Sequence, residues 1–205
     1  DLLTGEVDSE DVELRLIEVL TQAGDRYGLQ VEFEREGLTE IFEIVDGVEL
    51  ASGDYRGTEV ELKYRSSTRR PVFGELELGY GDYYDGKAFK GGTELSWRPS
   101  KHAQLEIGGG LTSAELEAGD FDALTSFIGL RVTPSTRMSF NSIVQYDNQS
   151  QQIGMNNRFR YILKSGSDLY LVFNKGFHRG DDQEFDRFRA FKTETIAKLG
   201  WTFQF

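Results

Sequence analysis

The feature that most constrains this chain is long-range alternation of apolar and charged residues. Residues 58–65 read Thr-Glu-Val-Glu-Leu-Lys-Tyr-Arg, with Val60, Leu62 and Tyr64 on one face and Glu59, Glu61, Lys63 and Arg65 on the other. A period of two is the signature of a β-strand with chemically different faces. The pattern returns at 72–80, 104–111 and 153–163. It returns again near the end, where Ala197, Leu199, Trp201, Phe203 and Phe205 alternate with Lys198, Thr202 and Gln204. Helical spacing is nearly absent; Leu14–Leu20 is the best candidate, and it also reads as a strand.

The alternation predicts eleven strands, near residues 11–19, 27–35, 54–66, 71–83, 88–98, 102–115, 121–133, 136–149, 152–164, 168–177 and 191–205. Most exceed the ~5–6 residues typical of soluble strands. They meet the ~9–11 residues that a tilted strand needs to cross a bilayer. No apolar run is long enough for a membrane helix. Mean hydropathy of -0.47 does not bear on a membrane barrel, whose strands average a lipid-facing and a lumen-facing set.

The connections sort into two groups. Ser66–Arg70, Arg98–Lys101, Thr133–Ser135 and Lys164–Asp168 are short, and Pro71, Pro99 and Pro134 fall at them, as expected of a residue without an amide donor. Glu36–Gly53, Tyr83–Lys87, Leu116–Asp120 and Phe177–Ala190 read as longer loops, with Asp147–Gln151 a shorter member. Short turns on one rim and long loops on the other is the asymmetry of outer-membrane barrels. The expected fold is therefore an all-β, antiparallel, up-and-down transmembrane β-barrel spanning 1–205. Residues 1–10 are a linker or truncated strand, and 36–53 form a plug-like excursion over or into the mouth. If the C-terminus is periplasmic, eleven strands place the first one's start at the outer rim. Single-chain bacterial barrels begin inside with an even number, so the reading expects a further strand upstream.

The polar face supplies lumen-facing candidates: Glu59, Glu61, Lys63, Arg65, Glu75, Glu77, Glu94, Glu106, Arg131, Arg158, Arg160 and Glu194. The competing interpretation is a solvated sheet face. Trp97, Tyr64, Tyr80, Tyr146, Tyr161 and Trp201 sit towards strand ends, as interfacial girdles do. Trp201, Phe203 and Phe205 make the closing segment an assembly signal, offering a strand edge and an aromatic stripe to the barrel assembly machinery.

Chemistry-bearing motifs are few. His102 and His178 fall at opposite rims and are expected to be surface residues, not a shared metal site. No Gly-x-Ser-x-Gly elbow occurs, and Gly108-Gly-Gly110 lies inside a strand, not in a phosphate loop. The Asp181–Asp186 run offers oxygen ligands for Ca²⁺, but it lacks the turn glycine of an EF-hand and reads as a solvated acidic loop. Cysteine is absent, and 35 acidic residues against 23 basic ones give a net charge of -12, which disfavours nucleic acid.

Several ordered motifs carry a family resemblance: Asp46-Gly-Val-Glu-Leu-Ala-Ser-Gly-Asp-Tyr-Arg56, Gly79-Tyr-Gly-Asp-Tyr-Tyr-Asp-Gly86, Leu95-Ser-Trp-Arg-Pro-Ser100, Val144-Gln-Tyr-Asp147, Asn157-Arg-Phe-Arg-Tyr161 and Gly166-Ser-Asp-Leu-Tyr-Leu-Val-Phe-Asn174. Over residues 27–205 the chain resembles the C-terminal barrel region of an uncharacterised bacterial outer-membrane protein family that carries an N-terminal carbohydrate-binding-module-family-9-like domain. The resemblance implies a Gram-negative outer-membrane barrel, and contact with glycans through the attached domain. It brings no catalytic residues, and this chain lacks the N-terminal domain, as a C-terminal piece would.

The expected function is a non-enzymatic pore, transport component or membrane anchor, needing no cofactor or metal. Its partners are outer-membrane lipid and lipopolysaccharide, the assembly machinery, and glycans or other outer-membrane proteins. The alternative is a soluble or surface-attached carbohydrate-binding module using Tyr83, Tyr84, Phe121 and Phe177 as sugar platforms. A barrel hydrolase is disfavoured by the two separated histidines.

Overall fold

A computed structural model of the chain describes residues 9–179 and 188–201. Every regular element among them is a β-strand: β1 (Ser9–Leu20), β2 (Arg26–Leu38), β3 (Phe42–Val45), β4 (Val48–Leu50), β5 (Gly53–Arg65), β6 (Val72–Tyr83), β7 (Gly86–Ser100), β8 (Ala103–Leu116), β9 (Gly119–Ser135), β10 (Met138–Asp147), β11 (Gln152–Lys164), β12 (Ser167–Arg179) and β13 (Phe188–Trp201). Eleven form one antiparallel up-and-down sheet in the order β1-β2-β5-β6-β7-β8-β9-β10-β11-β12-β13, while β3 and β4 pair only with each other. The eleven strands lie where the alternation places them.

Long strands follow from uninterrupted alternation. A strand of 13 residues such as β5 extends about 43 Å at ~3.3 Å per residue. Tilted by ~45°, it covers about 30 Å, the thickness of a bilayer's hydrocarbon core.

The ambiguity at Leu14–Leu20 has a structural cause. Arg15 faces Gln30 and Ile17 faces Leu29, so Leu16 is an extra residue bulged out of the β1–β2 ladder. A bulge shifts the phase of alternation by one. Val12 and Leu14 before it therefore share a face with Ile17 and Val19 after it, which in sequence mimics helical spacing.

Three expectations about the connections are corrected. Tyr84–Asp85 and Glu117–Ala118 are two-residue turns, as tight as Lys101–His102. Gly and Asp suit tight turns with positive φ as well as they suit long loops, and the strands run on to Gly86 and Gly119. Pro99 and Pro134 lie in the last positions of β7 and β9 and not in the turns. The 36–53 excursion is shorter as an irregular segment, because it contains the β3–β4 hairpin.

The chain divides into two compact units. The first holds residues 1–94 and 110–124; the second holds 95–109 and 125–205. The first contains the principal apolar core: Val48 and Leu50 of the hairpin against Ala88, Ala114 and Leu116. Leu50 is 1% exposed, and burying a leucine contributes about 1.5–3 kcal/mol.

Candidate functional site

Burial is inverted on β5 and β7. On β5, Val60 and Leu62 are 48% and 49% exposed, while Glu59, next to Val60, is 7% exposed. On β7, Leu95 and Trp97 are each 49% exposed and the intervening Ser96 is 1%. In water the apolar set would be the one withdrawn from solvent. Here the polar set is sheltered, and the apolar set forms an exposed surface far beyond scattered single residues.

The polar face of the first unit is a ladder of charge pairs. Register places Glu59, Glu61, Lys63 and Arg65 of β5 opposite Gly81, Gly79, Glu77 and Glu75 of β6. Arg65 Nε donates to Glu75 Oε2 at 2.8 Å, and Gln30 Nε2 donates to Glu61 Oε2 at 2.5 Å. Lys63 Nζ lies 2.9 Å from Glu61 Oε2. Lys90 of β7 reaches past β6 to Glu59 Oε2 at 2.6 Å. That contact needs Gly79 and Gly81, whose missing side chains leave a lane across β6. A Cβ on Gly79 would sit 2.0 Å from Glu59 Oε1. Glu13, Arg15, Gln30, Lys63, Arg65 and Glu77 help to line a cavity of about 180 Å³ on this face. Glu94 lies on the same face of β7 as Lys90, two positions from Ser96.

The β3–β4 hairpin packs against this same polar face. Ala88 shares a face of β7 with Lys90, and Val48 and Leu50 close over it together with Ala114 and Leu116. The glycan candidates Tyr83, Tyr84 and Phe121 are half-buried against this cluster. Tyr83 and Tyr84 stack edge-on at 4.9 Å, and Tyr55 meets Tyr84 at 5.3 Å. Burial pushes the Tyr84 phenol above its ordinary range, and a hydrogen bond with Glu36 adds to the shift. Phe177 belongs to the second unit, where Lys175 Nζ lies 4.9 Å over its ring.

At the other end of the first unit a clamp that sequence reading missed joins two turns. Asp25, between β1 and β2, accepts from Arg70 Nη1 at 2.6 Å and Nη2 at 2.7 Å, and from the Ser67 amide at 2.9 Å. The Arg70 guanidinium, then the Ser67 amide, hold its carboxyl below the usual carboxylate range. Nothing in the sequence links positions 25 and 70; only strand pairing brings them together.

In the second unit, Arg131, Asn141 and Arg158 occupy one row across β9, β10 and β11. Arg131 Nε donates to Asn141 Oδ1 at 3.3 Å. Arg160 donates to Asp168, which also accepts from Tyr170 Oη at 3.1 Å. Asn156 donates to Asn174, which donates to Glu194 Oε2 at 3.1 Å. Glu106 Oε1 accepts from Gln104 Nε2 at 2.6 Å, beside Gly129. His102, in the β7–β8 turn, makes a 2.8 Å contact through Nδ1 with the Thr133 carbonyl, and His178 is exposed near the end of β12.

Of the expected girdle, Tyr80, Trp97, Tyr161 and Trp201 are exposed, and Tyr64 stacks on Tyr27 at 4.9 Å. Lys164 Nζ sits 4.2 Å over the Trp201 ring. Phe203, Phe205 and the Asp181–Asp186 run lie outside the described residues.

No protein-family model and no curated protein matches the chain. Among solved structures it is similar to the KdgM porin, with 10% identity, a TM-score of 0.37, and coverage of 96% of this chain and 98% of that one. The KdgM porin in complex with disordered oligogalacturonate gives 12% identity, the same TM-score and the same coverage. Likeness at this level carries no inference about ligand or mechanism.

Proposed function

We propose that this chain is the wall of an outer-membrane β-barrel that acts as a solute passage or as the membrane anchor of a larger protein, without catalysis. The observation that carries the reading is the inverted burial. Strands long enough to cross a bilayer present leucine, valine and tryptophan outward and shelter glutamate, glutamine and serine. In lipid that arrangement is favourable, because every ladder hydrogen bond is made within the sheet and the apolar face meets acyl chains. The polar face then lines the lumen, and the β3–β4 hairpin narrows it.

Outer-membrane lipid and lipopolysaccharide are the expected neighbours of the apolar face, and the closing strand is the segment offered to the assembly machinery. An attached glycan-binding domain, implied by the family resemblance, fits the anchor version. The soluble carbohydrate-binding alternative is less well supported: Tyr83, Tyr84 and Phe121 are packed against other side chains and are not open platforms.

Detergent-phase partitioning with heat-dependent gel mobility tests the reading. Folded protein should require detergent and change mobility on boiling. A chain that stays in the aqueous phase, with no mobility change, is a soluble sheet protein. Planar-bilayer recording then separates passage from anchor: discrete channels support the first, and a silent folded barrel the second.

A further inference from the structure

On the polar faces most cations already have a carboxylate. Lys63, Arg65, Lys90 and Arg160 are each ion-paired. Arg131 and Arg158 are exceptions. Each lies directly opposite Asn141 in the register, on the strands either side of β10. Arg131 uses one donor on Asn141, and Arg158 makes no hydrogen bond or ion pair among the described residues. Both side chains are exposed. Two positions along β9 from Arg131, the Glu106 side chain lies over Gly129, and the next residue in the Arg158 row is the apolar Val172. Of the nearby carboxylates, Asp168 is held by Arg160 and Tyr170, Glu106 accepts from Gln104 through Oε1, and Glu194 accepts from Asn174 through Oε2.

Two guanidiniums, each with a planar fork of donors, therefore flank a carboxamide whose oxygen is occupied and whose NH₂ remains a donor. Their strands are two spacings of ~4.8 Å apart, about 10 Å between backbones, so long arginine side chains can converge above Asn141. Forked donors without a counter-ion fit carboxylate geometry. From this arrangement we infer that Arg131, Asn141 and Arg158 form a binding row for carboxylate-bearing solutes. The inference deepens the passage reading by naming the solute class, and rests on it for physiological meaning.

The experiment is calorimetric titration of citrate into the detergent-folded full chain at low ionic strength, with inorganic phosphate and uncharged sorbitol in parallel. Citrate should bind more tightly than sorbitol and phosphate. Arg131→Gln and Arg158→Gln should each weaken it, and the double variant should lose about tenfold or more. Arg158→Lys, which keeps the charge but not the fork, should fall between. Retained heat-modifiable mobility verifies folding of each variant, and Arg158→Lys serves should a glutamine variant fail to fold. Equal citrate affinity in the wild type and a folded glutamine or lysine variant overturns the site, as does wild-type citrate binding no tighter than sorbitol. Tighter binding of phosphate overturns the carboxylate assignment. No current is needed, so a conducting protein indifferent to citrate loses only this site. A silent barrel that binds citrate through the row loses only the passage.

Discussion

Glu59 and Lys90 meet at 2.6 Å across a strand that belongs to neither of them. Glu59 is on β5 and Lys90 on β7, and the intervening β6 passes beneath with Gly79 and Gly81 on that face. The pair exists because two side chains are missing. Lys90→Met would leave a sheltered carboxylate without its cation, and about 2–4 kcal/mol of stability should be lost. Gly79→Ala should displace the same carboxylate. Combined with Lys90→Met it should add little, since both changes break one contact. Denaturant titration of the detergent-folded variants measures both.

Gly81 is a stricter case. A Cβ there would lie 2.3 Å from the Thr58 carbonyl oxygen and 2.4 Å from the Glu59 Cα, both backbone atoms that cannot swing aside. Gly81→Ala should therefore prevent refolding into the heat-modifiable form. Gly154→Ala, where no atom lies within 4 Å of the added carbon, should refold like the parent and unfold within about 1 kcal/mol of it.

Leu62 separates membrane from solvent directly. On a lipid face, Leu62→Arg near the bilayer midplane should cost about 2–4 kcal/mol. On a water-exposed face the same change should stay within about 0.5 kcal/mol. Reversible unfolding in lipid vesicles reads the difference.

The Asp25 clamp predicts a pH dependence. Its carboxyl is held below the usual range by Arg70 and the Ser67 amide, so the folded state binds this proton less readily than the unfolded chain. The stabilisation is complete above the unfolded value of ~3.9 and disappears as pH falls through the lower folded value. Asp25→Asn should be less stable than the parent at neutral pH, and the gap should close in strong acid. Melting of the folded form, followed from pH 7 downward, checks the sign.

The hairpin makes a prediction about passage. Leu50 is the largest fully buried side chain of its cluster, and Leu50→Ala should cost about 2–5 kcal/mol locally. Replacing residues 40–51 with a short Gly-Ser linker should raise single-channel conductance if the hairpin narrows the lumen. Unchanged conductance would place it outside the ion path.

Much of the fold is legible in the sequence, because a strand with unlike faces writes its period into the residues. Alternation located all eleven sheet strands, and even the difficulty at Leu14–Leu20 reflects a bulge at Leu16. Connection lengths were less legible, because glycine and aspartate mark a tight turn and a loose loop alike. Of the site, the sequence shows which residues share a polar face: Glu59 with Glu61 and Lys63, and Arg158 with Arg160. Partners on other strands leave no such trace.

Glu59 with Lys90, Asp25 with Arg70, and Arg131 with Arg158 across Asn141 are set by register. Register is a property of neighbouring strands, and no single strand encodes it. The period of two, with its long strands and two chemically distinct faces, came from the residues alone, since it depends only on the geometry of an extended chain. Which face is sheltered, which charges find counter-ions and which arginines stay open were decided by tertiary structure, because each depends on what the next strand places opposite.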